Sequence, residues 1–180
     1  MIDITVFSYE AIFVWIVAFF VMEFPMRYIY LNLVGGTYLT RWYGFKEFNP
    51  YNVIIGDLFY MLVGLIIAYR IHAYVCEKYS ITGFLKRFTV LFGIFWIVQM
   101  VGDLTFYNII KAIPNGTQNK WIKFFIDYGD NAQLNAVFGD SLYILVWALT
   151  VCAVRFLPND ILLLLFFFYI FILSIFAEQK

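Results

Sequence analysis

Four acidic residues stand in stretches otherwise apolar enough for a lipid bilayer: Glu23, Asp57, Asp103 and Asp140. A carboxyl group in such surroundings can bind a proton or a cation, relay a proton to a neighbour, act as general acid or base, or hold Mg²⁺. Polar companions recur at helical spacing. Arg27 follows Glu23 by four residues and is placed to pair with it, while Gln99, Asp103 and Tyr107 share one helix face. Asp57 shares a face with Tyr60, and Asp140 with Tyr143; Asn52, Asn108 and Asn135 fall near the ends of the same stretches.

Other chemistries lack their residues. His72 is the one histidine and lies at the far end of its stretch from the acids, where an interfacial position is expected. That leaves no Ser-His-acid triad and no histidine-based metal set. Cys76 and Cys152 are far apart, without a second pair, and read as free thiols. No catalytic set and no metal site are assigned, and no cofactor is defined.

The elements that must position the acids follow from composition. Of 180 residues, 64% are hydrophobic, 23% aromatic and 13% charged, with a mean hydropathy of +0.83. Soluble domains are nearer half apolar and a quarter charged, so lipid is the expected solvent. Lysine plus arginine and aspartate plus glutamate number 12 each, and no basic tract interleaved with aromatics suggests a nucleic-acid partner. The N-terminal "MIDITVFSYE" has no basic residue, so the first apolar stretch is expected to stay as a span and not as a cleaved signal.

Five stretches are long enough to cross as helices: 11–33, 53–73, 88–110, 136–154 and 161–177. The expected fold is all-α, a polytopic membrane helix bundle forming a single domain over 1–180. Turn residues separate the spans at Gly35-Gly36, Asn49-Pro50, Gly83, Pro114-Asn115-Gly116 and Pro158. The segments 41–47 and 120–130 read as interfacial loops rich in Trp, Tyr and Phe, and Pro25 is expected to kink or break the first span.

The second and fourth spans carry one pattern. "NVIIGDLFYMLV" at 52–63 aligns without a gap on "NAVFGDSLYILV" at 135–146, with six identities that include Gly56/Gly139, Asp57/Asp140 and Tyr60/Tyr143. In the preceding spans Glu23 and Asp103 lie at the similar offset of 80. The four-helix core therefore reads as a duplicated hairpin, repeat 1 over about 11–73 and repeat 2 over about 88–154, with 161–177 as an extra helix. Gly56, Gly64, Gly93, Gly102 and Gly139 are expected to let the helices approach closely.

Threading five spans puts the N-terminus and the 74–87 and 155–160 loops on one side, and the 34–52 and 111–135 loops on the other. Asp57 and Asp140 then lie about 6 Å deep from the second side, Asp103 about 10 Å and Glu23 about 15 Å, at 1.5 Å per residue. Arg27 is the one basic residue in that half of the spans. Basic residues are shared nearly evenly between the two sides and favour a cytoplasmic N-terminus only slightly. Asn115-Gly116-Thr117 is a glycosylation sequon in a loop.

The third and fourth spans resemble a family of small four-helix bacterial membrane proteins known as a domain of unknown function. The resemblance rests on Leu91-Phe92-Gly93 and Asp103-Leu104-Thr105, on Asp140 with Tyr143, on Phe59-Tyr60, and on the acid Glu23. It covers about residues 11–156; Asp57 and the fifth span depart from the pattern. It implies an architecture and a set of polar positions, and a lipid-related role among its alternatives.

Taken together, these residues suggest a small transporter or channel for protons, cations or a small polar solute. The binding or relay groups would be Asp57, Asp103, Asp140, Glu23, Arg27, Tyr60, Tyr143, Gln99, Asn52, Asn108 and Asn135. The alternatives are a membrane-embedded enzyme modifying a lipid or isoprenoid, and a structural subunit or assembly factor of a membrane complex. Lipid is the expected partner in each case, with a second copy or a larger membrane complex beside it.

Overall fold

The computed structural model describes residues 1–177 apart from Gly35, Phe45, Lys46 and Gln133, and leaves the side chains of 34, 39, 132, 134–137, 176 and 177 undescribed. The described residues are all helical or irregular. Seven α-helices follow in order: α1 Tyr9–Ile29, α2 Thr37–Tyr43, α3 Pro50–Lys78, α4 Phe84–Lys111, α5 Lys120–Ala132, α6 Leu134–Val154 and α7 Asn159–Ala177. Three helical stretches, Tyr9–Leu33, Pro50–Lys78 and Phe84–Lys111, are long and apolar enough to cross a membrane. α6 and α7 are shorter apolar helices.

Local sequence accounts for the starts. Ser8 Oγ accepts from the Ala11 amide at 3.0 Å and Glu10 sits in the first turn of α1, satisfying an orphan donor and complementing the helix dipole. Asn49 caps α3 through the Tyr51 amide at 2.9 Å, with Pro50 at the first helical position, where its missing N–H costs nothing. α1 continues through Pro25 without a break, and a π-helical turn follows at Tyr30–Val34.

Packing pairs the helices across the sequence. α1 lies chiefly against α6 and α3 chiefly against α4, while α7 leans on α1 and α3. The core is aromatic: Trp15 meets Trp147 edge-on at 4.9 Å, and Phe19 and Phe95 close on the same pair. Its indole protons are satisfied in a chain, Trp147 Nε1 donating to Trp15 O at 2.9 Å and Trp15 Nε1 to Tyr69 Oη at 2.9 Å. The Tyr69 hydroxyl in turn donates to Ile4 O at 2.6 Å, tying α6, α1, α3 and the N-terminal segment together.

The two ends are distinct. At one, Ile2 N donates to Arg155 O at 3.3 Å and Arg87 reaches Asp3 at 3.9 Å, gathering the N-terminus, the start of α4 and the α6–α7 turn. His72 lies at this end, away from the acids, and is buried, its Nε2 2.9 Å from Arg87 O.

At the other end, the segments read as loops contain α2 and the amphipathic α5. One face of α5, Trp121, Phe124, Phe125 and Tyr128, recurs at i, i+3, i+4 and i+7 and closes on Trp42 and Phe48. Arg41 Nη1 meets Asp127 at 2.7 Å and Arg41 Nε meets Glu47 at 2.7 Å, latching α2 to α5. The Arg41 hydrogen bonds hold Glu47 below the usual carboxylate range.

Only some glycines serve close approach. A Cβ on Gly64 would lie 2.9 Å from Gln99 Oε1 and 3.4 Å from Phe95, and one on Gly102 would lie 3.1 Å from the Tyr60 hydroxyl. Gly56, Gly93 and Gly139 have open space there, so their expected packing role is withdrawn. Gly64→Leu should therefore lower stability by about 1–3 kcal/mol through overpacking of α3 on α4. Gly56→Ala and Gly139→Ala should gain about 0.5–1 kcal/mol from helix propensity; thermal unfolding in detergent distinguishes the two classes, and a Gly64→Leu protein as stable as the parent contradicts the packing.

Candidate functional site

The acids gather toward the end that carries α2 and α5, in two neighbouring groups. In the first, Glu23 of α1 is fully buried. Arg27 Nη2, one turn on, lies 3.2 Å from Glu23 Oε1, and the Tyr143 hydroxyl of α6 donates to Oε2. The Arg27 guanidinium also lies over the Tyr43 ring of α2, 5.1 Å from its centroid, and Tyr43 stacks on Tyr30 at 5.7 Å. Asp57 of α3 accepts from Trp42 Nε1 at 3.1 Å and lies within electrostatic reach of Glu23, Arg27 and Asp140.

In the second group, Asp103 Oδ1 of α4 accepts from the Tyr60 hydroxyl of α3 at 2.6 Å and from Gln99 Nε2 at 3.2 Å. Asp140 of α6 is electrostatically coupled to Asp103. Tyr128 of α5 lies within electrostatic reach of both: burial pushes its phenol above the ordinary range, reinforced by Asp140 and Asp103. Nearby, Trp96 Nε1 of α4 donates to Ser141 Oγ of α6 at 2.7 Å.

Helical register thus yields a different pairing from the one expected. Tyr60 serves Asp103 and not Asp57, and Tyr143 serves Glu23 and not Asp140, because each hydroxyl reaches across to the facing helix. Tyr107, expected alongside Asp103, donates to Asp130 of α5, where Lys111 Nζ also binds at 2.8 Å. Asn108 is exposed and bonds its own helix at Leu104 O, 2.7 Å away, and Asn52 is exposed; neither touches an acid. The side chain of Asn135 lies outside the described residues.

Trp42, Tyr43, Tyr30 and Tyr128 were not singled out in the sequence. All four are aromatic residues at or beyond the ends of the apolar stretches, where an interfacial belt offers the same signal. Trp42 marks the difference, since its indole N–H donates to Asp57 inside the protein and not to water. Among the described residues no three of His, Cys, Asp and Glu converge to hold a metal ion. A cation here would meet one or two carboxylates and phenolic oxygens.

Comparison with protein-family models, curated proteins and solved structures finds no match.

Tyr143→Phe should destabilise the protein by about 1–3 kcal/mol, the cost of removing a buried donor. Tyr60→Phe should cost less, because Tyr60 is 39% exposed and Asp103 keeps Gln99. A double-mutant cycle of Tyr143→Phe with Glu23→Gln should return a coupling of about 0.5–3 kcal/mol. Strict additivity would show that this bond contributes nothing.

Proposed function

We propose that the chain is a multi-pass integral membrane protein in which α1, α3, α4, α6 and α7 are five spans, and that it moves protons or small cations through its carboxyl cluster. The observation that carries this reading is a charge imbalance. Glu23, Asp57, Asp103 and Asp140 lie together, and Arg27 is the one cation paired with any of them among the described residues. The neighbouring cations Arg41 and Lys111 are engaged outside the cluster, by Glu47 and Asp127 and by Asp130. Unpaired carboxylates in a low-dielectric bundle cost several kcal/mol, so protons or bound cations must offset them.

The internal-repeat reading is supported by matching bonds. The offset of 83 takes Tyr60 to Tyr143 and the offset of 80 takes Glu23 to Asp103; each tyrosine donates to the acid of the facing helix. The same offsets relate the Gly64–Phe95 approach to the Trp147–Trp15 contact. On this reading α1 on α6 and α4 on α3 are equivalent interfaces, each uniting one helix from either repeat.

Reconstitution into liposomes tests the function. A pH or cation gradient should collapse faster with the protein than without it. Asp103→Asn and Asp140→Asn should each slow that flux about tenfold or more, the equivalent of ~1.4 kcal/mol. Flux unchanged in both variants removes the carboxyl cluster from the function.

A further inference from the structure

The end opposite the acids carries a second unbalanced charge arrangement. α4 begins at Gly83, whose φ of 82° suits a glycine, and no side chain caps its first turn. That turn, Phe84 to Arg87, carries two basic residues, Lys86 and Arg87, and no acid. Cations beside the positive end of a helix dipole are unfavourable unless an anion joins them.

Arg155 supplies the independent observation. It is only 8% exposed, its Nε is buried without a hydrogen-bond partner, and its guanidinium makes no ion pair among the described residues. It lies over Phe84, the first residue of α4, with Cζ 3.6 Å from the ring centroid, and over Phe156 at 4.7 Å. Asp3, within electrostatic reach of it, already accepts from Thr5 N at 2.9 Å and Thr5 Oγ1 at 2.7 Å and faces Arg87 at 3.9 Å. Two guanidiniums thus act on one carboxylate beside the uncapped start of α4, and a guanidinium whose buried Nε is unmet calls for a further oxygen acceptor.

We infer that the α4 N-terminus, with Lys86, Arg87 and Arg155, binds the phosphate of an anionic phospholipid. A groove of about 440 Å³ runs beside it, lined by Ile81, Leu85, Lys86, Thr89 and Val90, and offers an apolar path for an acyl chain leading away from Lys86. That path down the first two turns of α4 favours a lipid over a free anion. The site lies at the other end of the bundle from the carboxyl cluster, so it stands or falls separately from ion movement.

The test uses the full chain in neutral detergent, with native mass spectrometry reading bound lipid. Phosphatidylglycerol should be retained in preference to phosphatidylcholine. Arg155→Gln and the exposed Lys86→Gln should each reduce that preference about fivefold, as for one basic residue at an anionic surface. Lys86→Gln removes no buried group, so it remains decisive if Arg155→Gln fails to fold. Equal retention of the two lipids, or a preference unchanged in Lys86→Gln, overturns the inference. Inorganic phosphate displacing phosphatidylglycerol at equal concentration also overturns it, by showing an anion site without lipid selectivity.

Discussion

A carboxyl group enclosed by an apolar helix bundle must find donors on the helices around it, and the arrangement of this protein depends on how Glu23 does so. Arg27 reaches it from one turn along α1, and the Tyr143 hydroxyl reaches it from α6. The bond to Tyr143 fixes the register of α6 on α1, which in turn sets Trp147 against Trp15 and lets its indole donate to Trp15 O. Burying an ion pair gives little net stability, but breaking one leaves a charge stranded, so the pairing specifies register more than it adds energy.

The Tyr60–Asp103 bond does the same for α3 and α4, in a looser setting. There the approach is set by Gly64 and Gly102; on the proposed repeat, Gly64 takes the place of Trp147 and Gln99 that of Phe19. α2 and α5 then close the end above both groups, delivering Trp42 to Asp57 and bringing Tyr128 within electrostatic reach of Asp140 and Asp103. On the proposed reading this aromatic cap separates the acids from water on one side, while the basic end holds lipid on the other.

Much of this was legible in the residues. Mean hydropathy and span lengths pointed to a helical bundle, and alternating the chain back and forth grouped the N-terminus with Arg87 and Arg155, as the Ile2–Arg155 and Asp3–Arg87 contacts do. The acids and Arg27 were found because ionisable groups stand out in apolar stretches. What periodicity could not reach was which helix each tyrosine faces. Tyr60 lies at i+3 from Asp57, yet its hydroxyl extends far enough to pass its own helix and meet Asp103. α2 and α5 escaped because a short amphipathic helix with four aromatics on one face has the composition of an interfacial loop. The open space at Gly56 and Gly139 shows that a shared "GD" pair need not mean close packing.

The central claim is that the carboxyl cluster is neutralised by exchangeable protons or cations. Infrared difference spectroscopy on the reconstituted protein measures this directly, through the carbonyl stretch of protonated carboxyl groups. The account predicts a protonated-carboxyl band that bleaches as pH rises or as a permeant cation is added, and that loses amplitude in Asp140→Asn. A spectrum without such a band, and without any cation-dependent carboxylate change, would contradict it.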